Sequence, residues 1–135
     1  MNIPPGLLQA FHDTNFNVEG LGIIRIGYPV PVPLRAWMDM GGVTQIAVLG
    51  AENPWAMQVD DAVNDARHAA LIEDCHSRGY QLLHVIGTGE SWQERHVLVA
   101  NMSRDLADDF RRRYDQVAVL HATLDGVVDL ILDVP

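Results

Sequence analysis

Apolar residues follow two rhythms along this chain. Over residues 43–50 (Val-Thr-Gln-Ile-Ala-Val-Leu-Gly) they run almost unbroken, the pattern of a strand buried on both faces. Over residues 60–78 the period changes: Asn64, His68, Leu71 and Cys75 recur on one helical face, with Asp60 or Asp61 as N-cap and Gly79 as the stop. A strand over 80–87, a turn over 88–92 and a returning strand over 93–101 follow. Ser103 caps a second helix to about residue 114, and residues 117–121 and 127–133 read as a hairpin over Leu124-Asp125-Gly126.

Counted from residue 43, the order is β-α-β-β-α-β plus one extra strand. That is the order of a ferredoxin-like sandwich, an α+β fold whose right-handed crossovers put both helices on one face of an antiparallel sheet. The first 42 residues are less regular. Residues 11–18 and 21–26 suggest a strand pair, the alternating prolines from Tyr28 to Pro33 an extended stretch, and residues 34–40 a short helix ended by Gly41-Gly42. The expectation is one domain over 1–135, with 1–42 an extension packing on the sheet and 43–135 the ferredoxin-like core.

That topology gathers distant segments at one rim. The turn Glu52-Asn53-Pro54, the start of the first helix with Asn64 and Arg67, the turn carrying Trp92 and Glu94, and the end of the second helix with Gln116 all fall there. Asn53, Asn64, Arg67, Trp92, Glu94 and Gln116 are therefore the candidate ligand-binding residues. Glu94, just inside a buried strand, needs a partner, and Arg67 is the nearest candidate charge. The pair is either a structural ion pair or a site in which Glu94 acts as general base or ligand acceptor.

Composition narrows the chemistry. Eighteen acids stand against nine bases, all arginine, for a net charge of −9, which disfavours nucleic-acid backbones as partners. The absence of lysine removes Schiff-base chemistry and the Walker phosphate loop. The single cysteine, Cys75, falls on the core face of a helix and reads as a small hydrophobe. No metal or other cofactor is expected. The one alternative is a metal pair of His84 and His96, facing each other if the turn centres on Glu90, with Glu94 two residues along. No apolar run approaches a membrane span and no secretory signal opens the chain, so a cytoplasmic, bacterial protein is expected.

The pattern Ala51-Glu-Asn-Pro54, Asn64 with Arg67, Leu71 and Gly79, then Gly87, Trp92-Gln-Glu94 and Tyr114-Asp-Gln116 resembles the bacterial family catalogued as domain of unknown function 3293. In that family an Ala-x-Asn-Pro turn follows the first core strand and a Phe-Gly-Gln follows the last helix; here Tyr114-Asp115 replaces Phe-Gly. The resemblance implies no activity, but its signature positions coincide with the rim. The expected function is a small binding or regulatory module, monomeric or weakly dimeric, holding a small ligand or a protein partner. The alternatives are a small hydrolase using Glu94 as general base and a structural protein without a small-molecule site.

Overall fold

The computed structural model describes residues 3–132. Its elements are α1 (Pro5–Asp13), β1 (Asn15–Val18), β2 (Gly22–Ile24), α2 (Val32–Gly41), β3 (Gln45–Gly50), α3 (Asp61–Ser77), β4 (Leu82–Thr88), β5 (Gln93–Ala100), α4 (Arg104–Arg113), β6 (Ala118–Thr123) and β7 (Asp129–Leu132). The seven strands form one sheet in the order β2-β1-β4-β5-β3-β6-β7, and every pairing is antiparallel. This is a mixed α/β fold. None of the described helices is long and apolar enough to cross a membrane.

The unbroken apolar run of β3 has a direct cause. Ile46 and Val48 join one core with Leu34 and Met38 of α2, while Ala47 and Leu49 join another with Leu71 and Cys75 of α3 and Phe110 of α4. Both faces of the central strands are thus covered. The buried residues of α3 are Asn64, His68, Leu71 and Cys75, the face its period indicates. Burial pushes the Cys75 thiol up to about 11, which leaves it a packing group at neutral pH. Ser103 caps α4 by accepting from the Leu106 N–H at 3.2 Å.

The N-terminal part departs most from the sequence reading. Residues 11–13 end a helix and are not strand: Pro5 sits in the first turn of α1, where its missing N–H is no loss, and Thr14 closes the helix with Oγ1 donating to the Ala10 carbonyl at 2.6 Å. No residue of α1 is buried, and Leu7, Ala10 and Phe11 form its partly buried face. The strand pair exists as β1 and β2 and extends the sheet beyond β4. The helix read over 34–40 begins at Val32, because Pro31 and Pro33 fit its N-cap and first turn. The stretch before it pairs across to the sheet's other end, with Gly27 N–H and Val128 N–H each donating at 2.8 Å to carbonyls of Val128 and Tyr28. The last strand begins at Asp129, later than expected, and the end read at residue 133 lies outside the described residues.

Candidate functional site

The loop after β3 is held in an unusual backbone. Asn53, Trp55 and Ala56 have φ of 49°, 55° and 60°, a left-handed region that costs an ordinary residue roughly 1–2 kcal/mol. Asparagine tolerates it best, and Asn53 is also the hub of the loop. Its backbone N–H donates to Asn64 Oδ1 at 2.9 Å. Its Oδ1 accepts from Asn64 Nδ2 at 2.9 Å and from the Val59 N–H at 3.3 Å, and its Nδ2 donates to Glu94 Oε2 at 2.5 Å. Asn53, Asn64 and Glu94 therefore form one network.

Arg67 does not pair with Glu94. Its Nε donates to the Ala51 carbonyl at 2.6 Å, its Nη2 donates to the Tyr114 carbonyl, and the nearest carboxylate is Asp115 at 3.7 Å. It stitches the loop after β3 to the loop after α4. Gln116 performs the same join, with Nε2 donating to the carbonyls of Glu52 at 3.1 Å and Tyr114 at 3.0 Å. Asp115 adopts φ 55°, a conformation that glycine takes without cost.

The second arginine of the rim, Arg95, is engaged by Glu52. Glu52 Oε2 accepts from Nε at 2.8 Å and Nη2 at 2.6 Å, and Oε1 accepts from the Arg95 backbone N–H at 2.9 Å. Arg95 Nη2 also reaches Asp65 at 2.7 Å. Neither residue of this part-exposed pair is among the sequence candidates, although Glu52 and Arg95 each adjoin one.

Glu94 is consequently left with Asn53 as its sole hydrogen-bond donor among the described residues. Burial holds its carboxyl above the usual range; the Asn53 bond opposes that shift and the Glu52 charge adds to it. A cleft of about 570 Å³ opens in front of it. Leu7 and Ala10 of α1 form one wall, Trp92 another, and Glu52, Asn53 and Gln116 border it beside Glu94. Asn64 and Arg67 lie behind this lining and support the loop. A second cleft of about 570 Å³ continues on the far side of Trp92 and carries Asp13 and Glu90.

The metal pairing is corrected by register. The loop between β4 and β5 leaves Thr88 opposite Gln93, so Val85 faces His96 and the exposed His84 faces Val97. A slip of one residue sends a side chain to the other face of the sheet, so His84 and His96 point apart. Among the described residues no group of three or more His, Cys, Asp or Glu could hold a metal ion.

His96 instead occupies a slot between two glycines. A Cβ on Gly50 would stand 2.9 Å from its Cδ2, and one on Gly87 3.1 Å from its Cε1. Phe16 meets the ring edge-on at 5.3 Å. Nδ1 lies 3.3 Å from the Glu94 carbonyl. Burial drives its pKa down to about 4, against the opposing pull of that carbonyl and Glu52, so the imidazole is neutral.

A family model described as protein of unknown function (DUF3293) matches residues 49–119. The chain belongs to that family. The DUF3293 segment contains every rim residue from Glu52 to Gln116, including His96, whereas α1, which supplies Leu7 and Ala10, precedes it. No curated protein and no solved structure matches the chain.

Proposed function

We propose that this DUF3293 protein is a small-molecule binding module whose ligand occupies the cleft in front of Glu94. One observation carries the reading: a half-buried carboxylate faces an open cleft with a single amide donor, while both rim arginines are engaged elsewhere. A carboxylate kept for structure alone would have its cation, because burying it unpaired is unfavourable. The volume suits a small ligand, and it argues against a purely structural rim, which side chains would fill. Asn53, Trp92, Glu94 and Gln116 contact the ligand in this reading; Asn64 and Arg67 hold the loops that present them.

The raised pKa of Glu94 favours a second reading, in which it acts as an acid–base catalyst of a small hydrolase. Thermal-shift screening of a metabolite library against wild type and Glu94→Gln tests both. Ligands that stabilise only the wild type support the site, and turnover of such a ligand supports the enzyme. If nothing in the library shifts either protein, the binding reading fails.

The wider expectations belong to the same proposal. The order β4-β5-β3-β6, with α3 and α4 packed on one face, supports a ferredoxin-like unit in a single domain that residues 3–42 extend. The net charge of −9 supports a module that avoids nucleic acid, acting in a bacterial cytoplasm as a monomer or weak homodimer.

A further inference from the structure

We propose that the cleft receives an organic cation that donates several N–H bonds, a guanidinium, amidinium or ammonium group, seated on Glu94 and Gln116. This rests on reading the cleft as a ligand site and adds the chemistry of what enters it.

Two acceptors border the cleft side by side, Gln116 Oε1 and Glu94 Oε1, and their neighbours fix them so. The Gln116 amide is oriented by the two carbonyls its Nε2 donates to; the reverse orientation would set its oxygen against both. Its Oε1 is therefore turned over Gly50, 3.4 Å from where a Cβ would stand. His96 lies behind this lining, its Nδ1 facing the Glu94 carbonyl and its Nε2 set against Gly50. Asn53 occupies Glu94 Oε2 and leaves Oε1 to the cleft.

No Lys, Arg or His is among the residues lining either cleft. Glu52 at the border of the first is engaged by Arg95, which leaves Glu94 as its unpaired carboxylate, and Asp13 and Glu90 border the second. An anionic ligand would meet the unpaired Glu94 carboxylate with no cation to offset it, and a neutral ligand would leave that charge without a partner. A planar N–H cation satisfies Glu94 and Gln116 together. Trp92 completes the fit. Its indole lies against Gly89, where a Cβ would fall 2.2 Å from Nε1, and the side chain is 37 % exposed, so a ring face is offered to a cation or to the ligand's apolar body.

Three probes with the same ring separate the possibilities: benzamidine, benzamide and benzoate, titrated by calorimetry into the full chain. Wild type should bind benzamidine at least tenfold more tightly than benzamide or benzoate. Glu94→Gln should weaken benzamidine at least tenfold. Benzamide or benzoate binding as well as benzamidine in a Glu94-dependent way would overturn the cation assignment and leave the cleft reading standing. Benzamidine binding that ignores Glu94→Gln would place the cation elsewhere and overturn it too. No benzamidine binding at millimolar concentration would also overturn it, and the metabolite screen then decides the cleft reading separately.

Discussion

Asn53 donates its side-chain amide to Glu94 at 2.5 Å, and that single bond joins the strained loop after β3 to the carboxylate on β5. The bond stands where an ion pair with Arg67 was expected, and it changes what each residue does. Arg67 becomes a tie between two loops, and Glu94 a carboxylate balanced between burial and one neutral donor.

The first consequence concerns Glu94→Gln. Burial raises the folded-state pKa of Glu94 above its unfolded value, so the folded protein binds more protons than the unfolded chain between the two values. Its contribution to stability is therefore fully present below the unfolded pKa and is lost as pH rises through the folded one. Glutamine removes the buried charge and should raise stability at pH 7 by about 0.5–2 kcal/mol, with little change at low pH. Chemical denaturation at several pH values checks this. A variant less stable than wild type at neutral pH would show a cationic partner for Glu94.

Asn53 offers a separate test, because its backbone and its side chain can be altered independently. Asn53→Gly keeps a residue suited to φ 49° and removes three side-chain hydrogen bonds, a loss of about 2–3 kcal/mol at roughly 1 kcal/mol each. Asn53→Ala should cost about 1 kcal/mol more, from the left-handed backbone. Both variants should push the Glu94 carboxyl further up, since the bond they remove is the one that lowers it. Carboxyl-carbon NMR titration reads that shift directly. Equal stability of the two variants would show that the loop relaxes out of its left-handed conformation.

The glycine slot around His96 predicts a coupling. A Cβ at Gly50 would approach the imidazole to 2.9 Å, and Phe16 and Gly87 leave the ring little room to retreat. Gly50→Ala should destabilise the protein by about 1–3 kcal/mol. In a His96→Ala background the same change should cost much less, giving an interaction energy of about 1–3 kcal/mol in a double-mutant cycle. Additive effects would mean that the ring does not lie over Gly50.

How much of this the sequence made legible depends on how local each signal was. The phase of α3 and the cap of α4 were readable because one helix or one residue carries each. The unbroken apolar run of β3 was readable for the same reason, while its cause, two cores on opposite faces, needed the whole sheet. The convergence of Asn53, Glu94 and Gln116 followed from element order. Partner choice did not: a carboxylate beside two arginines, Arg67 and Arg95, could have paired with either, and backbone carbonyls and Glu52 compete for both. Register was equally hidden, since one residue in the loop before Gln93 decides whether His84 or Val85 faces His96.

The last prediction follows from the way the slot holds His96. His96 is held neutral with a pKa of about 4, against about 6.5 for a histidine in the unfolded chain. The folded protein therefore binds fewer protons than the unfolded one between those values, and stability rises with pH across the window. The contribution is complete above about pH 6.5 and is lost as pH falls toward 4, a difference on the order of a few kcal/mol. His96→Asn, which cannot titrate, should be most destabilised relative to wild type at neutral pH, and the gap should narrow steadily on acidification. Glu94 does not mimic this signature, because its raised pKa tilts stability the opposite way over an adjoining range. Nitrogen NMR of His96 provides the independent check: a protonated Nδ1, a bare Nε2 and no titration down to pH 5. An imidazole that charges near pH 6.5 would mean that His96 is not held in the slot that the two glycines make room for.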